Sequence, residues 1–288
     1  MHRFFNAAIA AIALALPALS LTAIAQERFA ATVTGQGPDV ILIPGLASSG
    51  AVWDATVKQL SPTHRVHVLQ VNGFAGSPPG PNADGAVIAP LTAEIAAYAG
   101  KLDHPAIIGH SMGGLMALKI AAAKPAAIGR VMIVDALPFY SLLYGSTATA
   151  ATATPFAEQA RTQILSMSDS DFAEGQTQTM NMMTLTEAAR PTLADWSIRS
   201  DRHVMAQAMH DIMIDDARPQ LAAIKAPVTV LYAWDETMGQ PQSMADDLYQ
   251  GAYEGLPAAR LQRMDGSYHF IMLDQPEAFA KAVTAFLD

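Results

Sequence analysis

A chain of 288 residues, 51% hydrophobic and 15% charged, carries enough apolar material for one large core. Its formal charge of −9 argues against non-specific docking on nucleic acid or on an anionic membrane surface. The absence of cysteine excludes thiol catalysis, thiolate metal sites and disulfides.

The first residues read as a cleavable leader. Arg3 supplies a positive start, an apolar run extends from Ala7 to Leu21, and Ala23-Ile24-Ala25 offers a small-x-small cleavage site. That pattern predicts a signal peptide over residues 1–25, cut near Ala25, and a periplasmic or secreted product with no membrane attachment after cleavage. Arg28 to Thr34 alternates as a strand. Val40 to Ile43 is a short β-branched run ending at Pro44-Gly45, hence a buried strand. Ala51 to Leu60 has helical spacing, Arg65 to Val71 is the next strand, and the Gly- and Pro-rich stretch Asn72 to Gly85 is loop.

Farther on, Leu91 to Leu102 reads as helix, Ala106 to Gly109 as strand, and Met112 to Ala123 as a helix stopped by Pro125. Strands follow at Arg130 to Val134, Val228 to Ala233 and Arg260 to Met264. Helices are expected over Pro241 to Tyr253 and Gln275 to Leu287. This alternation predicts an α/β fold: a mostly parallel twisted sheet with helices on both faces. Between Asp135 and Ala226 no strand is legible over a stretch too long for an ordinary connection. The reading is a core of residues 26–135 and 227–288, with a helical cap inserted over 136–226. Within the cap, the Ser-Thr-Ala stretch Gly145 to Thr154 is expected to be mobile.

Chemistry concentrates at Gly109-His110-Ser111-Met112-Gly113-Gly114. This G-x-S-x-G string follows a buried strand and precedes a helix, the context of a nucleophile elbow. Its glycines suit a turn too tight for side chains, and the helix start beneath presents free N–H groups and a partial positive charge. A serine hydroxyl needs a neighbouring base. His269, in Asp265-Gly266-Ser267-Tyr268-His269-Phe270 between the last strand and the last helix, is the candidate. His104, His203 and His210 compete on composition alone, and His110 is read as pointing away from the serine on the tight turn.

On these residues the chain resembles the α/β-hydrolase superfamily, and within it capped, esterase-like members carrying GHSMGG. The resemblance implies a triad in the order Ser…Asp/Glu…His, with the histidine in the loop after the last strand. It also implies an acid after the strand that follows the cap. Asp235 is the preferred acid there; Asp135, at the end of the preceding strand, and Glu236 are the alternatives. Adjacent residues on an extended segment face opposite ways, so Asp235 and Glu236 cannot both reach His269. The oxyanion donors implied are the backbone amides of Met112 and of Leu46, the latter in Ile43-Pro44-Gly45-Leu46, where Pro44-Gly45 replaces the family's usual His-Gly.

The expected reaction is acyl transfer on a carboxylic ester through an acyl-enzyme. Cap methionines and Phe139, Tyr140 and Leu143 are candidate lining for a partly apolar small-molecule substrate. A lactonase or cofactor-free perhydrolase would use the same triad. A non-catalytic ligand-binding protein on the same scaffold is the reading of another class. No metal-binding or nucleotide-binding motif appears, so neither a metal nor a cofactor is expected. Oligomeric state is not legible.

Overall fold

In the computed structural model, the backbone of residues 22–25 and the whole of residues 27–288 are described. The apolar run of the expected leader lies outside the described residues. Its expected cleavage site falls on strand β1 (Thr22–Ala25).

The remaining strands are β2 (Phe29–Thr34), β3 (Asp39–Ile43), β4 (Arg65–Val71), β5 (Ala106–His110), β6 (Arg130–Val134), β7 (Val228–Trp234) and β8 (Arg260–Asp265). They form one sheet in the order β1-β2-β4-β3-β5-β6-β7-β8. The pairs β1–β2 and β2–β4 are antiparallel and all the others parallel. The strands β3 and β5, flanked on both sides, are buried at every position, which is why they read as unbroken apolar runs rather than as alternating ones.

Side chains of these strands nevertheless alternate between two cores. Ile41, Ile43, Ile107, Val131 and Ile133 pack on one face with Leu91 and Ile95 of α2 (Ile88–Ala99) and Met116 of α3 (Met112–Ala123). Tyr249 of α8 (Gln242–Ala252) joins them. Val40, Leu42, Ile108, Met132 and Val134 pack on the other face with Leu60 of α1 (Asp54–Leu60), Ile271 of α9 (Ile271–Asp274) and Phe279 of α10 (Pro276–Leu287). Each helix thus covers one face of a sheet that is apolar on both.

Between β6 and β7 the chain is helical: α4 (Ala150–Ser166), α5 (Asp169–Met183), α6 (Arg190–Ile198) and α7 (Arg202–Ile214). Helix α4 pairs with α7, and α5 with α6. This segment is held to the core at defined points. Asp211 of α7 accepts hydrogen bonds from the Val87 and Ile88 amides at 2.7 and 3.1 Å, satisfying orphan donors at the start of α2. The stretch expected to be mobile is in part α4 itself. Thr149 and Thr152 form a reciprocal capping box, and the alanines that look like low complexity are the strongest helix formers.

Candidate active site

All the chemistry-bearing positions stand at the carboxyl edge of the sheet, where parallel α/β folds leave a crevice. Leu46 lies beyond β3, Ser111 directly beyond β5, Asp135 directly beyond β6, and His269 in the loop beyond β8.

Ser111 has φ 54° and ψ −122°, a conformation costly for a residue with a Cβ. Its amide bonds to Val134 O at 2.9 Å, and Gly114 N and Leu115 N bond to its carbonyl at 2.8 and 3.1 Å, so the turn is over-determined. The glycines are required by steric contact. A Cβ at Gly109 would lie 2.2 Å from the Gly113 carbonyl oxygen, and one at Gly113 would lie 2.3 Å from that of Ile43. The Ser111 side chain does not cap the helix it precedes, which leaves the hydroxyl available. Met112 is the first residue of α3, so its amide has no intrahelical acceptor. The Leu46 amide donates no backbone hydrogen bond among the described residues.

His269 Nδ1 lies 2.7 Å from Asp135 Oδ2. A carboxylate can only accept, so Nδ1 carries the proton and Nε2 is left with its lone pair. The other oxygen, Oδ1, accepts from Ala233 N at 2.9 Å and Tyr249 Oη at 3.0 Å. Burial alone would raise the Asp135 pKa. The hydrogen bond and charge of His269, with the Ala233 and Tyr249 donors, outweigh it and hold the carboxyl below its ordinary value. Asp135, like Ser111, has positive φ, at 48°.

This geometry corrects the expected acid. Asp235 does not meet His269: it caps its own short turn, accepting from the Thr237 amide at 2.9 Å and from the Thr237 hydroxyl. Glu236 is exposed. Ser111, Asp135, His269, Leu46 and Met112 all line one cavity of about 490 Å³. Tyr140 and Leu143 line it as well. Phe139 does not: its ring is fully buried in the core, with the Arg218 guanidinium 4.9 Å above it. Of the cap methionines, Met180, Met183, Met205 and Met209 reach the cavity, whereas Met182 is exposed and Met213 packs in the interior.

Two positioning residues escaped the sequence reading. His110, completely buried, holds Nε2 3.0 Å from the His269 carbonyl. That oxygen can only accept, so Nε2 bears the proton and Nδ1 is bare, and Nδ1 has no partner among the described residues. Burial, with the nearby His269, pushes the His110 pKa down to about 3, so the ring stays neutral. The second is Asp274. Its Oδ1 accepts from Thr184 Oγ1 (2.6 Å), Thr186 N (2.9 Å) and Thr186 Oγ1 (2.9 Å), and its Oδ2 from Leu185 N (3.1 Å) and Tyr268 N (2.9 Å). One carboxylate therefore joins the α5–α6 connection of the roof to the loop that carries His269. Phe270 N adds a bond to Met183 O at 3.1 Å. A lone aspartate before a helix carries no sequence signal of this, because four of its five donors come from one distant stretch, Thr184 to Thr186. His110 had a signal in its place beside the serine, but its partner lies 159 residues away.

Among the described residues no group of three or more His, Asp or Glu side chains could hold a metal ion, and no helix is long and apolar enough to cross a membrane.

The sequence model of the alpha/beta hydrolase family matches residues 40–282. The polyketide synthase ThaQ of Burkholderia thailandensis is 29% identical over 262 residues, 88% of this chain but 12% of that protein. The pimeloyl-[acyl-carrier protein] methyl ester esterase of Vibrio campbellii is 36% identical over 107 residues, 37% of this chain and 40% of that protein. The chain thus spans well under two thirds of both relatives. Among solved structures, the enol-lactonase of Burkholderia xenovorans superposes with a TM-score of 0.71 at 19% identity, covering 90% of this chain and 96% of that one, a likeness of fold.

Proposed function

The chain belongs to the alpha/beta hydrolase family, and on that premise we propose that it is a serine hydrolase cleaving carboxylic esters through an acyl-enzyme. Ser111 is the nucleophile, His269 the base and Asp135 the acid that orients it. The observation that carries this reading is the 2.7 Å bond from His269 Nδ1 to Asp135, which leaves Nε2 basic in the cavity that Ser111 lines.

In the reaction Ser111 Oγ attacks the ester carbonyl as its proton passes to His269 Nε2. The imidazolium formed is stabilised by Asp135, which stays ionised. The carbonyl oxygen becomes negative and is received by the amides of Leu46 and Met112, at the positive end of α3. His269 then protonates the departing alkoxide, the acyl group remains on Ser111, and the same histidine activates water to release the acid.

A fluorophosphonate probe tests the assignment. Label is expected on Ser111, with label and aryl-ester turnover both lost in Ser111→Ala. A folded wild-type protein that takes up no label would instead be a ligand-binding protein on a hydrolase scaffold. Rates on matched aryl esters, lactones and peracid formation rank the bond cleaved. Export is a separate proposal: residues 1–25 serve as a leader, and N-terminal sequencing of the mature protein should begin near Gln26.

A further inference from the structure

We propose that the cavity selects an uncharged ester whose distal part is mainly apolar but carries a hydrogen-bond acceptor, and that Gln176 is the residue that selects it. The inference rests on the hydrolase reading above and names the substrate class of that site.

The roof of the cavity is apolar: Ile164, Met180, Met183, Met205, Met209 and Ile212 all line it. Among the described residues no lysine or arginine lines it, and the one carboxylate that does, Asp135, is already paired with His269. A ligand carboxylate here would be desolvated without a counter-charge and would face a like charge at the floor, an arrangement that heavily disfavours binding. The cavity therefore discriminates against charged acyl chains.

Tyr140, ahead of α4, lines the cavity with its hydroxyl 3.5 Å from that of Tyr144, and three polar side chains interrupt the helical roof: Gln176 and Thr179 of α5, and Ser197 of α6. Two of them have committed their protons. Thr179 Oγ1 donates to Gly175 O at 2.8 Å, and Ser197 Oγ donates to Gln176 Oε1 at 2.7 Å. Ser197 is also 2% exposed, so it offers a ligand almost nothing. In the structure the Gln176 oxygen accepts from Ser197 Oγ, whose proton also has Met205 Sδ at 4.0 Å within reach, and the amide nitrogen forms the other end of the side chain. That NH₂ group makes no hydrogen bond among the described residues. Gln176 thus presents a neutral donor within an apolar lining, and a neutral donor in such surroundings matches a carbonyl or ether oxygen.

Three methyl esters of matched length test this at neutral pH: dimethyl suberate, with a distal ester carbonyl; methyl octanoate, with none; and monomethyl suberate, with a distal carboxylate. In the wild type, kcat/KM for dimethyl suberate should exceed that for methyl octanoate by about three- to tenfold after allowance for its two equivalent esters, as one neutral hydrogen bond provides. Monomethyl suberate should fall at least about a hundredfold below the diester. In Gln176→Leu the ratio of diester to octanoate should drop to near one, and in Gln176→Glu, which replaces the donor by an anion, it should not recover. The proposal is overturned if monomethyl suberate is turned over within tenfold of the diester, or if Gln176→Leu leaves the ratio unchanged. Failure of the underlying reading has a different signature. There, Ser111 takes no fluorophosphonate and none of the three esters is cleaved. A labelled Ser111 with a preference for the charged ester sinks the selectivity alone.

Discussion

Asp135 and Asp235 stand at equivalent places, each directly beyond a strand of the same parallel sheet. Sequence position therefore could not separate them. What separates them is local backbone. Asp135 bends through positive φ into a site where three donors meet its two oxygens, whereas Asp235 turns its carboxylate onto the amide two residues ahead, the usual habit of aspartate at a turn. Asp135→Asn is expected to lower kcat by about 10⁴-fold, because an amide can hold the wrong tautomer of His269. Asp235→Asn should stay within a few-fold of wild type. Steady-state kinetics on one aryl ester compares the two directly. Ser111 was legible because strand, turn and helix are all local, and so was the loop position of His269.

Among elements, the elbow between β5 and α3 is the most constrained. Gly113→Ala would drive a Cβ into backbone oxygens of the β3 end, atoms that cannot rotate aside. A loss of about 3 kcal/mol or more, or failure to accumulate folded protein, is expected in urea unfolding. The roof and the His269 loop are joined more selectively, through Asp274. Asp274→Ala takes the acceptor from the Thr184 hydroxyl and from the Leu185 and Tyr268 amides, while Thr186 keeps bonds to Thr184 Oγ1 and Leu273 O, and should cost at least about 2 kcal/mol. Because the loop would then shift, kcat should fall on the order of 10²-fold. Asp274→Asn, which keeps one acceptor oxygen, should recover part of the rate. A variant that lost stability with kcat intact would show the clamp to be structural only. Helix and strand identities in the core were readable from periodicity. The capping of α2 by Asp211 and the Asp274 clamp were not, because each joins stretches about ninety or more residues apart.

For the molecule as a whole, burial of titratable groups makes acid the vulnerable direction. The buried His67 and His110 both have lowered pKa values, chiefly through desolvation. From the ordinary value of 6.5 down to about 3, the unfolded chain takes up a proton at His110 that the native state refuses. Stability from this group is thus complete above 6.5 and declines as pH falls. Asp39, Asp135 and Asp274, whose carboxyls are held low by their donors, add a further loss below the ordinary carboxylate value. His110→Gln, which keeps a donor for the His269 carbonyl, should reduce the slope of unfolding free energy by about 1.4 kcal/mol per pH unit between pH 6 and pH 4. Urea titrations across that range measure it. An unchanged slope would mean that His110 ionises in the native state.

The bare edge of that same imidazole has a geometric consequence. A Cβ at Gly45 would sit 3.0 Å from His110 Nδ1 and 3.2 Å from Ser111 Cβ, while on another side the rings of His269 and Phe270 stand 4.5 and 4.9 Å away, centre to centre. Two remote stretches of chain thus abut one flat group. His110 acts as a gauge block: its thickness sets the clearance between the segment bearing Leu46 and the bend bearing Met112. A substitution at His110 would change that gap without removing any of the three groups proposed to do the chemistry.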